Sequence, residues 1–175
     1  VSKLYSKSFL SEANIWFPAD VRTGEDLLFN AAVFACEPRV WFFSKSIYLY
    51  WKNLGSVTNS TDLAFIDNEH VYHRWLCEIL KGSHLDTEEI ERILAFNRLG
   101  GLLGMLAKTP HDRSGITIMN SILSEDGYAR ALERKDIIAA SFPLYRRLQL
   151  RLLDRGLVRA AFLVQEVLRE AKRAV

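Results

Sequence analysis

Apolar residues recur along this chain in two textures. From residue 62 onward they return every three or four positions, the period of a helix with one buried face. Before that, short helical stretches alternate with dense apolar runs. Ser6 to Ala13 suits a short helix ended near Asn14. Ile15-Trp16-Phe17-Pro18 is apolar and stopped by a proline, which holds the preceding residue extended. Gly24-Glu25-Asp26 opens a helix running to about Cys36, with an acidic first turn that suits the positive end of the helix dipole. Leu27, Leu28, Ala31 and Phe34 are expected on its buried face, and Pro38 closes it. Arg39–Ser44 and Ile47–Trp51 are rich in aromatic and β-branched residues and predict two strands, followed by a turn at Leu54-Gly55-Ser56.

In the second region Asp62 caps a helix that reaches Leu80 and stops at Lys81-Gly82. Asp86-Thr87-Glu88-Glu89 starts another, running to about Ala107 and ended by Pro110. Gly100, Gly101 and Gly104 lie late in it, each costing up to about 1 kcal/mol relative to alanine, so close helix packing is the expected reason for them. Shorter helices are expected over Ser114–Leu123 and Glu125–Arg134. Pro143 starts a further helix ending at Gly156, and Leu157 begins the last one, with Phe162, Val164, Val167, Leu168 and Ala171 as its apolar stripe. The fold class that follows is mainly α, a helical bundle behind a smaller mixed segment. The expected domains are residues 1–61 and 62–175.

Composition adds exclusions. Hydrophobic residues make up 49% and charged residues 25%, ordinary for a globular domain that buries a core. No apolar run approaches the ~18 residues of a membrane span. The first residues lack a charged segment followed by an apolar one, so no signal peptide is read there. Without an initiator methionine, the chain is expected to be processed or cut from something longer. Cys36 and Cys77 sit among apolar neighbours and are expected to be buried free thiols. His70 and His73 stand one helical turn apart with no further ligand to complete a metal site. The net charge of +2 is uneven, +5 over residues 143–175 and −3 before them.

One ordered series carries chemistry. Lys3-Leu4-Tyr5 is followed by Phe9-Leu10, Ile15-Trp16-Phe17-Pro18 and Gly24-Glu25-Asp26-Leu27-Leu28-Phe29, then by Tyr48-Leu49-Tyr50 and Ser56-Val57-Thr58. In order and spacing this resembles the distal half of the catalytic domain in bacterial inverting family 2 glycosyltransferases of the GT-A fold. The resemblance covers about the first third of the chain and makes the mixed segment a small α/β remnant of that domain. It implies Asp26 as the base that takes the acceptor's proton, with Glu25 positioning it or contacting the acceptor. For Ser56 and Thr58 it implies contacts to donor phosphates or acceptor, against a plain hydroxyl-rich turn. Lys3 either shapes the site or is a surface lysine. Where the family often carries an arginine after its Tyr-x-Tyr, this chain has Trp51, leaving Lys52 as the nearby cation. That departure bears on the substrate class.

The resemblance also implies a parent enzyme with a nucleotide-sugar donor and a cell-surface glycan or lipid-linked acceptor. Mg²⁺ or Mn²⁺ would be held mainly by an N-terminal half that is not in this chain, which contains no Asp-x-Asp. The fragment alone is therefore expected to be inactive. Cytoplasmic placement is expected, at the inner face of the cell membrane if the basic C-terminal helices make a peripheral contact there. A homodimer is expected more readily than a monomer, since strand edges without partners invite pairing. Nucleic acid is not an expected partner. The competing reading is a helical interaction or oligomerisation module with no catalytic role.

Overall fold

The computed structural model describes residues 3–42 and 64–173. All the regular structure among them is helical, which makes the chain mainly α. It divides into two compact units. The first gathers the N-terminal helices with residues 67–86, and the second gathers residues 64–66 with everything from Thr87 onward.

In the first unit, Ser6 caps α1 (Lys7–Glu12) by accepting from the Phe9 N–H at 3.4 Å. The chain then turns through Asn14, whose φ of 51° is left-handed, a region that asparagine tolerates. This returns Ile15 to the α1 side, where its N–H bonds the Leu10 carbonyl at 2.9 Å. Helix α2 (Glu25–Ala35) buries Leu28, as expected, together with Phe29 and Val33. Leu27 and Phe34 are exposed, because the partners that reach α2 arrive on the other side. Phe29 stacks on Phe17 at 4.2 Å and meets Tyr5 edge-on at 5.1 Å, and Ile15 and Val33 complete that small core. Helix α3 (Ala64–Lys81) turns Asn68, Tyr72, Leu76 and Leu80 inward, one residue per turn.

Two expectations need correction here. Arg39–Phe42 form no strand, and Trp41 and Phe42 are exposed. Aromatic and β-branched composition favours a strand only where another strand supplies hydrogen bonds. The rest of that reading, residues 43–51, lies outside the described residues, as does the Asp62 cap. The second correction concerns the thiols. Cys36, at the C-terminal cap of α2, is exposed, and Cys77 is half-buried.

The second unit is built around α4 (Thr87–Lys108), whose Leu99, Leu102, Met105 and Leu106 are almost wholly buried. Around it come α5 (Arg113–Leu123), α6 (Asp126–Glu133), α7 (Lys135–Ile138), a 3-10 turn at Ala139–Ser141, α8 (Leu144–Asp154) and α9 (Val158–Arg173). Helices α6, α7, α8 and α9 all pack on α4. The expected helices are present; α7 and the turn after it carry too few residues to show a period and were not expected. Helices α8 and α9 form a hairpin. Its turn is a Schellman cap, with Gly156 at φ 69°, Gly156 N–H to Leu153 O at 2.9 Å and Leu157 N–H to Leu152 O at 2.8 Å. On α9 the buried residues are Val158, Ala161 and Phe162, whereas Val167, expected in the apolar stripe, is exposed.

Side chains close the ends of these helices. Asp112 caps α5 by accepting from Gly115 N–H at 3.0 Å and from the Ser114 hydroxyl at 2.6 Å. These bonds, the Ser114 hydroxyl first, hold its carboxyl below the usual carboxylate range. Arg147 donates to the carbonyls of Phe142 (2.7 Å) and Ala140 (2.8 Å), and Arg169 donates to the Ala107 carbonyl near the end of α4. His111, beside the α4 terminus, stacks on Phe162 and meets Glu166 of α9 at 3.1 Å.

Gly100 and Gly104 of α4 do not mark tight packing. A Cβ at Gly100 would meet open space, and one at Gly104 would make ordinary contact with the Phe65 ring. Close approach occurs instead at Gly115, where a Cβ would overlap the Pro110 carbonyl. Gly115→Ala should therefore destabilise the second unit by about 3 kcal/mol, whereas Gly100→Ala should stabilise it by up to about 1 kcal/mol. Urea unfolding followed by far-ultraviolet circular dichroism distinguishes the two directions.

Candidate functional site

The acidic pair of the sequence series sits in the first turn of α2, with Glu25 and Asp26 both half-buried. Gly24 occupies the cap position at φ 88°, a left-handed conformation that glycine adopts without strain. No side chain caps this end, so backbone N–H groups at the start of α2 lack helical partners and the positive end of its dipole lies beside the two carboxylates.

What fixes this helix start is α3, from the far side of the sequence. Asn68, 7% exposed, uses both ends of its carboxamide on residues 22–23. Its Oδ1 accepts from the Arg22 N–H at 2.7 Å and the Thr23 N–H at 3.3 Å. Its Nδ2 donates to the Thr23 carbonyl and hydroxyl, each at 3.0 Å. One turn along α3, the Tyr72 ring lies against Gly24 so closely that a Cβ there would be 3.0 Å from it. A further turn on, the Trp75 indole N–H donates to Asp20 at 2.8 Å, and Arg74 faces the same carboxylate at 3.7 Å. Residues 20–24 are thus held at three successive levels of one helix.

A second set of contacts anchors the first turn itself. Asn30 donates from Nδ2 to the Asp26 carbonyl and accepts from the Tyr5 hydroxyl at 2.7 Å. The Asp26 charge reaches both nearby phenols. Burial raises the Tyr5 hydroxyl above its ordinary value, and Asp26 adds to that. Tyr72 is pushed up to about 12, first by burial and then by the charges of Glu69 and Asp26. A half-exposed carboxylate on a rigid helix start can accept a proton from a hydroxyl brought within hydrogen-bond reach.

The structure therefore brings Glu25 and Asp26 together with Tyr5, Asn30, Asn68 and Tyr72. Lys3 lies exposed ahead of α1. Lys52, Ser56 and Thr58 lie outside the described residues. Among the described residues no group of three or more His, Cys, Asp or Glu side chains stands together as a metal site. Asn68 was not singled out from the sequence, although a signal existed. It is the one amide in the 68, 72, 76, 80 stripe that is otherwise Tyr72, Leu76 and Leu80, and a polar residue on a buried stripe needs hydrogen-bond partners. No protein-family profile matches the chain, and neither a curated protein nor a solved structure shows significant similarity to it.

Asn68→Ala should destabilise the first unit by about 3 kcal/mol, because it strands buried backbone groups of residues 22–23. Urea unfolding read by tryptophan fluorescence checks this, since all four tryptophans precede Leu76. Tyr72 gives a pH dependence of definite sign. Its folded-state value lies above the 10.0 of an unperturbed tyrosine, so its contribution is complete below pH 10 and is lost as pH rises from there to about 12. Stability of the first unit should fall across that window, and an ultraviolet phenolate titration should show Asp26→Asn lowering the Tyr72 transition.

Proposed function

We propose that this chain is the C-terminal part of an inverting glycosyltransferase, with Asp26 as the base and Glu25 beside it as the positioning or acceptor-contacting acid. The observation that carries the reading is the coincidence of two things at one place. The ordered sequence series centres on Gly24-Glu25-Asp26, and the same three residues form a helix start pinned by Asn68, Tyr72 and Asn30. A general base needs that fixity, since proton transfer works only over hydrogen-bond distances.

In the proposed reaction an acceptor hydroxyl loses its proton to the Asp26 carboxylate. Its oxygen forms a bond to the anomeric carbon of the donor sugar, on the face opposite the nucleoside diphosphate. The bond to the diphosphate breaks with its electron pair leaving on the phosphate oxygen, and the anomeric configuration inverts. The sequence holds no Asp-x-Asp, and among the described residues no group of three or more His, Cys, Asp or Glu side chains stands together as a cation site. No step of the proposal runs through a metal. Donor recognition belongs to residues outside this chain, and Lys3, Lys52, Ser56 and Thr58 remain its candidate contributors to substrate binding. The acceptor in this reading is a cell-surface glycan or a lipid-linked sugar.

The test is transfer from nucleotide sugars, with Mn²⁺ supplied, by the longer gene product that contains this chain. Asp26→Asn should lower kcat by about 10²–10⁴-fold while donor affinity is kept. A longer enzyme that is active and indifferent to Asp26→Asn would remove the site assignment. A product with no transferase activity on any nucleotide sugar would favour the helical interaction module instead.

A further inference from the structure

The basic residues of α8 and α9 fall into two groups. Arg147 and Arg169 tie off backbone carbonyls and serve the fold. Arg146, Arg151, Arg155 and Arg159 are exposed, and among the described residues no acidic side chain pairs with them. Two acids of these helices are engaged elsewhere, Asp154 with Lys135 at 3.0 Å and Glu166 with His111 at 3.1 Å. Leu144, Leu148, Arg151 and Arg155 recur at i, i+4, i+7 and i+11, which aligns them along one line of α8. That line faces away from the core, since the buried residues of the helix are Gln149, Leu150 and Leu153. Leu144 is 81% exposed and Leu148 47% exposed, a cost that the internal packing of the unit does not offset.

We infer that this stripe of α8 docks on an anionic lipid surface. The two leucines enter the boundary between headgroups and acyl chains, and the arginines bind headgroup phosphates. Charge selects this occupant over the others. A twofold contact with a second copy would bring Arg151 and Arg155 of both chains into one interface, where among the described residues no acidic side chain pairs with them. Nucleic acid would satisfy the arginines and leave Leu144 and Leu148 against a polar surface, whereas an anionic bilayer takes both. The helix lies on such a surface rather than through it. At 11 residues it spans only about 16 Å, and no described helix is long and apolar enough to cross a membrane. The inference stands apart from the transfer chemistry and does not depend on it.

The experiment is co-sedimentation of the 175-residue chain with extruded vesicles, either pure phosphatidylcholine or equal parts phosphatidylcholine and phosphatidylglycerol. Binding should require phosphatidylglycerol and weaken steadily as salt is raised. Arg151→Glu with Arg155→Glu should weaken it at least about 25-fold, at about fivefold per arginine. Leu144→Ser with Leu148→Ser should weaken it at least about tenfold. All four positions are exposed, so circular dichroism should match the parent chain, and the salt series needs no variant. The inference is overturned if the parent chain does not bind the anionic vesicles, binds both kinds equally, or binds unchanged in both double variants. It is also overturned if the vesicles are ignored while sedimentation equilibrium shows a dimer that the leucine variant dissociates, which would make a second copy the occupant.

Discussion

The four hydrogen bonds of the Asn68 carboxamide are the constraint on which the first unit depends. A loop that enters a helix must present backbone N–H and C=O groups before any helical partner exists for them, and burying such groups unpaired is costly. Asn68 meets that need for residues 22–23 with a side chain that can donate twice and accept twice. Once the loop is held, Gly24 can take its left-handed turn under the Tyr72 ring, and α2 begins at a fixed place. The orientation of Glu25 and Asp26 is then a property of α3 as much as of α2. Any chemistry that needs a carboxylate at a defined position inherits its precision from an amide more than forty residues away.

The second unit rests on a different principle. Helix α4 is apolar enough to be enclosed, and neighbouring helices bury Leu99, Leu102, Met105 and Leu106 from different directions. Short helices laid around a central one leave many exposed carbonyls at their ends. Long basic side chains close several of them: Arg147 after the 3-10 turn and Arg169 at the end of α4. Charge counted along the sequence therefore overstates what is offered to a partner. Among the described residues of α8 and α9, Arg146, Arg151, Arg155 and Arg159 are exposed and take no such structural task.

The electrostatics of the candidate site follow from the same enclosure. Tyr72 is buried because it backs Gly24, and that burial is the largest reason its phenol resists ionisation. Asp26 contributes to the shifts of both Tyr72 and Tyr5, so its charge is felt on either side of the helix start.

The sequence by itself determined, to within a few residues, where the longer described helices begin and end. Ser6, Gly24 and Gly156 act within one turn of the backbone, by hydrogen bonds or by tolerated dihedral angles, and so they are readable without a fold. The acidic first turn of α2 was legible for the same reason. Tertiary structure decided which sides of the helices are covered. Phe34 matches Val33 in character, and only the packing of Ile15 and Tyr5 with Phe29 and Val33 on one side separates buried from exposed. The strand expected at Arg39–Ser44, absent over its described residues 39–42, depended on a partner that propensity does not specify, and the Asn68 clamp joins residues 45 and 46 positions apart. Local chemistry sets conformation over a turn of helix; burial, pairing and the anchoring of a site are set by whatever the folded chain brings alongside.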